Sequence, residues 1–102
     1  MTTIAEQAKL ILPDALHAVV DARTAEGVRK YGQTLDANHK TDREKAVHEL
    51  QEALDACQYA LWRGRPWRAL RYADLAAGIL GEYPDLATEE MLHREGHSGA
   101  TP

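Results

Sequence analysis

Glu52 and Asp55 stand three residues apart in the stretch QEALDACQYALW, residues 51–62, and neither has a basic residue four positions later to neutralise it. On a helix such a pair shares one face. Two carboxylates at that spacing offer the hard oxygen donors that Mg²⁺ takes together with phosphate oxygens and water. At about 100° per residue, His48, Glu52, Asp55 and Tyr59 fall in one line with Glu49 at its shoulder. The apolar Val47, Leu50, Leu54, Cys57 and Leu61 fall on the opposite side at spacings of three and four, and are expected to form a continuous core stripe. A merely solvated face is the competing reading of the acids. The absence of basic partners and the tyrosine ring on the same line weigh against it.

Seven residues beyond Asp55 begins WRGRPWRALR, residues 62–71, with four arginines and two tryptophans. Guanidinium forks match phosphate oxygens and indole faces stack on bases, so the group suits a nucleotide or a single strand of nucleic acid. Alternatively, Trp62 and Trp67 close the end of a bundle while the arginines cover them and offset the dipole of the preceding helix. At 1.5 Å per residue Arg63 lies about 12 Å along the axis from Asp55, comparable to the reach of a triphosphate with its base. Arg63 and Arg65 are therefore candidate substrate contacts.

Other constellations carry less. HELQE, residues 48–52, lacks the second histidine of an HExxH zinc site, since Glu52 stands in its place. His93 and His97 are four apart but enclose Gly96, and His17 and His39 show no partner. Cys57 is the single cysteine, which excludes an internal disulfide, and its leucine neighbours make it a small buried hydrophobe.

Taken together, RTAEGVRKYGQTL (23–35), Asp42 and QEALDACQYAL (51–61) resemble the small phage and bacterial MazG-like proteins of the all-alpha nucleoside triphosphate pyrophosphatase superfamily. The likeness covers about 40 residues of the middle of the chain. It implies a helical bundle, dimeric or tetrameric, that binds Mg²⁺ and cleaves a nucleoside triphosphate to the monophosphate and pyrophosphate. Glu52 and Asp55 match the family's ExxD metal ligands, and Tyr59 matches the tyrosine one turn later. Lys30 and Tyr31 match its KYG helix end, on the substrate side. Under this reading Glu49 is a further ligand or the base that activates water, with His48 as the other candidate base. The family's EExxE motif is not matched, because DARTAEGVRK offers only Asp21 and Glu26 at another spacing. A second alignment takes HELQE for that motif and Glu82 with Asp85 for ExxD, but Pro84 breaks the helix between them.

The elements that must position these residues are helices, since no Val, Ile, Thr alternation of strand type occurs. Thr3 with Glu6 predicts a helix over about residues 3–12, and Pro13 starts a second that runs to about Lys30, the two merging if the chain only kinks. YGQTLDANHK, residues 31–40, reads as a loop. Thr41 with Glu44 opens a helix over about 42–63, the RGRP turn follows, and Pro66 starts a fourth ending near Gly81. There Ala69, Ala73 and Ala76 allow close helix approach, with Tyr72 and Leu80 beside them. A last short helix begins at Pro84. The fold class expected is all-α, a four- to five-helix bundle completed by dimerisation, with residues 1–96 as one helical domain and 97–102 as a disordered tail.

Composition bounds the function. The 102 residues carry 44% hydrophobic side chains, 16 acids and 12 Lys plus Arg, for a net charge of −4. General adhesion to nucleic acid is disfavoured, and any such contact must be local. No apolar run approaches the roughly 18–20 residues that cross a bilayer, so no membrane role and a cytoplasmic location are expected. The functional expectation is a MazG-like pyrophosphohydrolase acting on a nucleoside triphosphate with Mg²⁺ as cofactor. A non-catalytic phage-type nucleotide-binding or protein-interaction bundle is the alternative.

Overall fold

The computed structural model describes residues 2–37 and 39–88. Most of these residues are helical, with no strand among them. Four α-helices, α1 (Ile4–Ile11), α2 (His17–Tyr31), α3 (Asp42–Trp62) and α4 (Pro66–Glu82), are accompanied by 3₁₀ turns at Asp14–Leu16, Leu35–Ala37 and Pro84–Ala87. No helix among the described residues is long and apolar enough to cross a membrane. The chain divides into two compact units, Met1–His39 and Lys40–Pro102.

In the first unit, Thr3 caps α1 by accepting the Glu6 N–H at 3.1 Å. Leu12 is extended, as the residue before a proline prefers, so α1 ends there and a 3₁₀ turn leads into α2. The expected junction at Pro13 is thus a break, and the imidazole of His17 meets the Leu12 carbonyl across it at 3.1 Å. Lys9 and Asp21 tie α1 to α2 at 2.8 Å. Gly32 ends α2 in the left-handed conformation, φ 77°, with its N–H on the Val28 carbonyl. The Asp36 carboxylate then accepts the Ile4 N–H at 2.9 Å, so the 3₁₀ turn after α2 caps the start of α1. No residue of α1 or α2 is buried.

In the second unit, Thr41 and Glu44 form the expected reciprocal capping box. At the other end of α3, Gly64 (φ 71°) bonds the Leu61 carbonyl at 3.0 Å and the Arg65 N–H bonds Ala60 at 2.8 Å. This pair of bonds satisfies the last carbonyls, and Pro66 then starts α4 where its missing N–H costs nothing. The short link makes α3 and α4 antiparallel neighbours. Ala46, Val47, Leu50, Ala53, Ala76, Ile79 and Leu86 form one buried cluster, with Leu80 and Tyr83 packed against it. Ala60 and Ala69 are buried nearer the link.

The expected leucine stripe is buried only in part. Val47 and Leu50 are in the core, Cys57 is half-buried, and Leu54 and Leu61 remain 39% and 56% exposed. The seam is a narrow one built on Ala46, Ala53 and Ala60, seven residues apart, which lets α4 approach closely. Leu54 and Leu61 continue the row of Val47 along the flank. Val47 shares its cluster with Leu86 of the 3₁₀ turn beside the start of α3, and the other two lie one and two heptads farther on. On α4, Ala69 and Ala76 are buried, Tyr72 and Leu80 are half-buried, and Ala73 is exposed. His93, His97 and the expected 97–102 tail lie outside the described residues.

Candidate functional site

Helix α3 is unbroken through the region that carries the acids, and its buried alanines fix which side looks outward. Glu49, Glu52 and Asp55 are all exposed, His48 is half-buried, and Tyr59 is 61% exposed. His48, Glu52, Asp55 and Tyr59 occupy the side of the helix opposite Ala46, Ala53 and Ala60, as the helical period requires. None of the three acids takes part in an ion pair or side-chain hydrogen bond among the described residues. Like charges three residues apart repel, so an unpaired row of this kind costs stability unless a cation sits against it.

The acids of the preceding segment are occupied. Asp21 holds Lys9 at 2.8 Å, and Glu26 pairs with Arg29, which holds the Glu26 carboxyl below its ordinary pKa. They do not supply a counterpart to the family's first acidic motif. In the second alignment, Glu82 ends α4 and Asp85 lies in the following 3₁₀ turn, where Arg43 holds it. Only Glu52 and Asp55 therefore present an ExxD pair on one continuous helix. No group of three or more His, Cys, Asp or Glu side chains arranged to hold a metal occurs among the described residues. The two carboxylates are hard oxygen donors, the class of ligand that Mg²⁺ takes together with phosphate and water.

Lys30 and Tyr31 end α2 in the first unit, with the Lys30 ammonium 5.7 Å from the Tyr31 ring centroid. Tyr31 also lines an open cleft of ≈ 440 Å³ formed by α1, α2 and the segment after Gly32. Ile4, Val20 and Leu35 give this cleft apolar walls, while Arg23 and Gln33 supply polar groups. Arg23 and Gln33 were not legible as a site from the chain alone. The available signal was the run of small residues Ala5, Ala8 and Gly27 that line the same cleft.

Arg63 and Arg65 flank Gly64 in the link between α3 and α4, both exposed. The Arg65 guanidinium donates to the Arg63 carbonyl at 2.9 Å. Trp62 and Trp67 do not close the end of the helix pair: they are 84% and 80% exposed. The buried residues nearest the link are alanines, whose small side chains let helices approach closely.

Comparison of the chain with family models, with curated proteins and with solved structures found no match.

Proposed function

We propose that the chain is a MazG-like nucleotide pyrophosphohydrolase that converts a nucleoside triphosphate to the monophosphate and pyrophosphate. The observation that supports this reading is the row of Glu49, Glu52 and Asp55 on α3, open to solvent and without a cationic partner among the described residues. Glu52 and Asp55 would hold Mg²⁺, which supplies Lewis-acid polarisation of phosphoryl oxygens. Glu49, one turn before Glu52, takes the proton of the attacking water. Arg63 and Arg65 donate to phosphate oxygens and stabilise the charge that develops on them. Tyr59 offers a ring on the same helix face as Glu52 and Asp55.

The same proposal includes pairing of two copies into a bundle. Leu54, Leu61 and Leu75 leave 39%, 56% and 55% of their surface uncovered, and a second chain would remove such apolar area from water. One observation favours the second reading, a nucleotide-binding or protein-interaction bundle without catalysis. Asp21 and Glu26 are already tied to Lys9 and Arg29, so a full carboxylate cage is not assembled from them. Release of pyrophosphate from a panel of nucleoside triphosphates, with and without Mg²⁺ and beside Glu52→Gln and Asp55→Asn, separates the two. Turnover lost in both variants supports hydrolysis, whereas Mg²⁺-dependent nucleotide binding without turnover supports the second reading.

A further inference from the structure

The tip where α3 turns into α4 carries a charge opposite to that of the chain as a whole. Residues 56–73 include Arg63, Arg65, Arg68 and Arg71 and no aspartate or glutamate, in a protein of net charge −4. None of these arginines forms an ion pair among the described residues, and all four are exposed. Trp62 and Trp67 stand out from the same tip at 84% and 80% exposure. Two indoles left in water beside four guanidinia that form no ion pair among the described residues are a costly arrangement with no role in the alanine seam.

We infer that this tip is a docking surface for single-stranded nucleic acid, with Trp62 and Trp67 stacking on bases and Arg63, Arg65, Arg68 and Arg71 meeting the phosphates. Three features select this occupant. A two-fold contact between copies through the tip would bring eight arginines together without an acid, so a second copy of the chain is disfavoured. A membrane-surface helix separates an apolar face from a basic one. On α4, by contrast, Trp67 and Arg71 lie four residues apart on one face, and Tyr59 near the end of α3 stands four residues before Arg63, the cap of that helix. Within each pair a ring stands about one helical turn, about 5–6 Å, from a cation, a spacing suited to a strand that offers bases and phosphates in turn. The turn itself is held by the bonds of Gly64 and Arg65 to α3, so the two indoles project from a fixed scaffold. This inference shares Tyr59, Arg63 and Arg65 with the pyrophosphohydrolase reading, but Trp62, Trp67, Arg68 and Arg71, on which its test is made, have no part in that reading.

Both tryptophans of the chain sit at the tip, so intrinsic fluorescence reports on it directly. Full-length protein is titrated with an oligodeoxythymidine long enough to fill a site of about 4–16 nucleotides. Saturable quenching is expected, weakening as NaCl rises. Trp67→Ala should weaken binding by about 5- to 150-fold, read from the remaining Trp62. Arg68→Ala with Arg71→Ala should weaken it and flatten the logarithmic salt dependence by about 0.7 for each phosphate no longer neutralised. Circular dichroism of each variant should match the parent, since all three side chains are exposed. Absence of salt-sensitive quenching overturns the inference. So does quenching by phosphatidylserine vesicles without the oligonucleotide effect, which makes the tip a lipid contact. Equal affinity for a free nucleoside triphosphate also overturns it, and assigns the arginines to a small nucleotide instead.

Discussion

The Tyr83 hydroxyl donates to the Asp42 carboxylate at 2.7 Å, joining the residue that caps the end of α4 to the first residue of α3. Beside it, Arg43 holds Asp85 of the following turn. These two links close the end of the helix pair remote from the tip and hold Leu86 over the core. Tyr83→Phe, which removes only the hydroxyl, should lower the thermal midpoint without changing helix content. Circular dichroism melts of the full chain check this.

Acid and alkali should act on this closure from opposite sides. Arg43 holds the Asp85 carboxyl below its ordinary range, and the backbone N–H and hydroxyl of Thr41 do the same for Glu44. A carboxyl whose pKa falls on folding stabilises fully above its unfolded value, about 4, and loses that contribution as pH drops through the folded value. Tyr83 is raised instead, first by its hydrogen bond to Asp42 and then by burial and the Asp42 charge. Its contribution is complete below its unfolded value, about 10, and is lost as pH climbs through the raised one. Midpoints measured across pH should fall at both limits. Asp85→Asn should shallow the acid limb and Tyr83→Phe the alkaline limb.

The alanine seam makes a packing prediction of known sign. Ala53 is 7% exposed and faces α4, so Ala53→Leu should force the helices apart at a cost of about 1–3 kcal/mol. Leu86 is completely buried, and Leu86→Ala should cost about 2–5 kcal/mol. Leu61→Ala, at a site 56% exposed, should change the denaturation midpoint of a single copy far less. Urea unfolding of the three variants ranks them. If copies pair through the uncovered leucines, Leu61→Ala should instead reduce the mass seen by light scattering at limiting concentration.

Loss of either carboxylate should be felt in turnover and not in folding. Glu52→Gln and Asp55→Asn alter exposed positions and remove like-charge repulsion, so their melting points should equal or exceed that of the parent. Pyrophosphate release should fall by more than the 10–100-fold typical of groups that only support a metal ligand. Restoration by raised Mg²⁺ would mark weakened metal binding as the cause.

Local signals made much of this architecture legible. Thr41 with Glu44, Gly64 and Pro66 mark the ends of α3 and α4 because capping and turn chemistry act within a few residues. The placement of Glu52, Asp55 and Tyr59 on one helix face was legible for the same reason, since it follows from the helical period. What failed depended on contacts distant in sequence. Leu54 and Leu61 read as core because nothing in their own helix reveals that alanines carry the seam and that Leu86 covers only Val47's end. The alternative in which Trp62 and Trp67 close the bundle end failed for the same reason. The cleft lined by Arg23 and Tyr31 needs α1 and the segment after Gly32 to come together, which the Asp36 carboxylate achieves through Ile4.

On the proposed reading, a divalent ion carried by a nucleoside triphosphate binds the acidic row of α3. Mn²⁺ can replace Mg²⁺ and broadens amide signals near it, so ¹⁵N-labelled protein with a nonhydrolysable triphosphate and substoichiometric Mn²⁺ locates the ion directly. The expected result is broadening centred on Glu52 and Asp55, reaching Glu49 and Tyr59, and absent from Glu52→Gln with Asp55→Asn. Broadening that leaves this stretch of α3 untouched while another part of the chain responds, or none at all, contradicts the account.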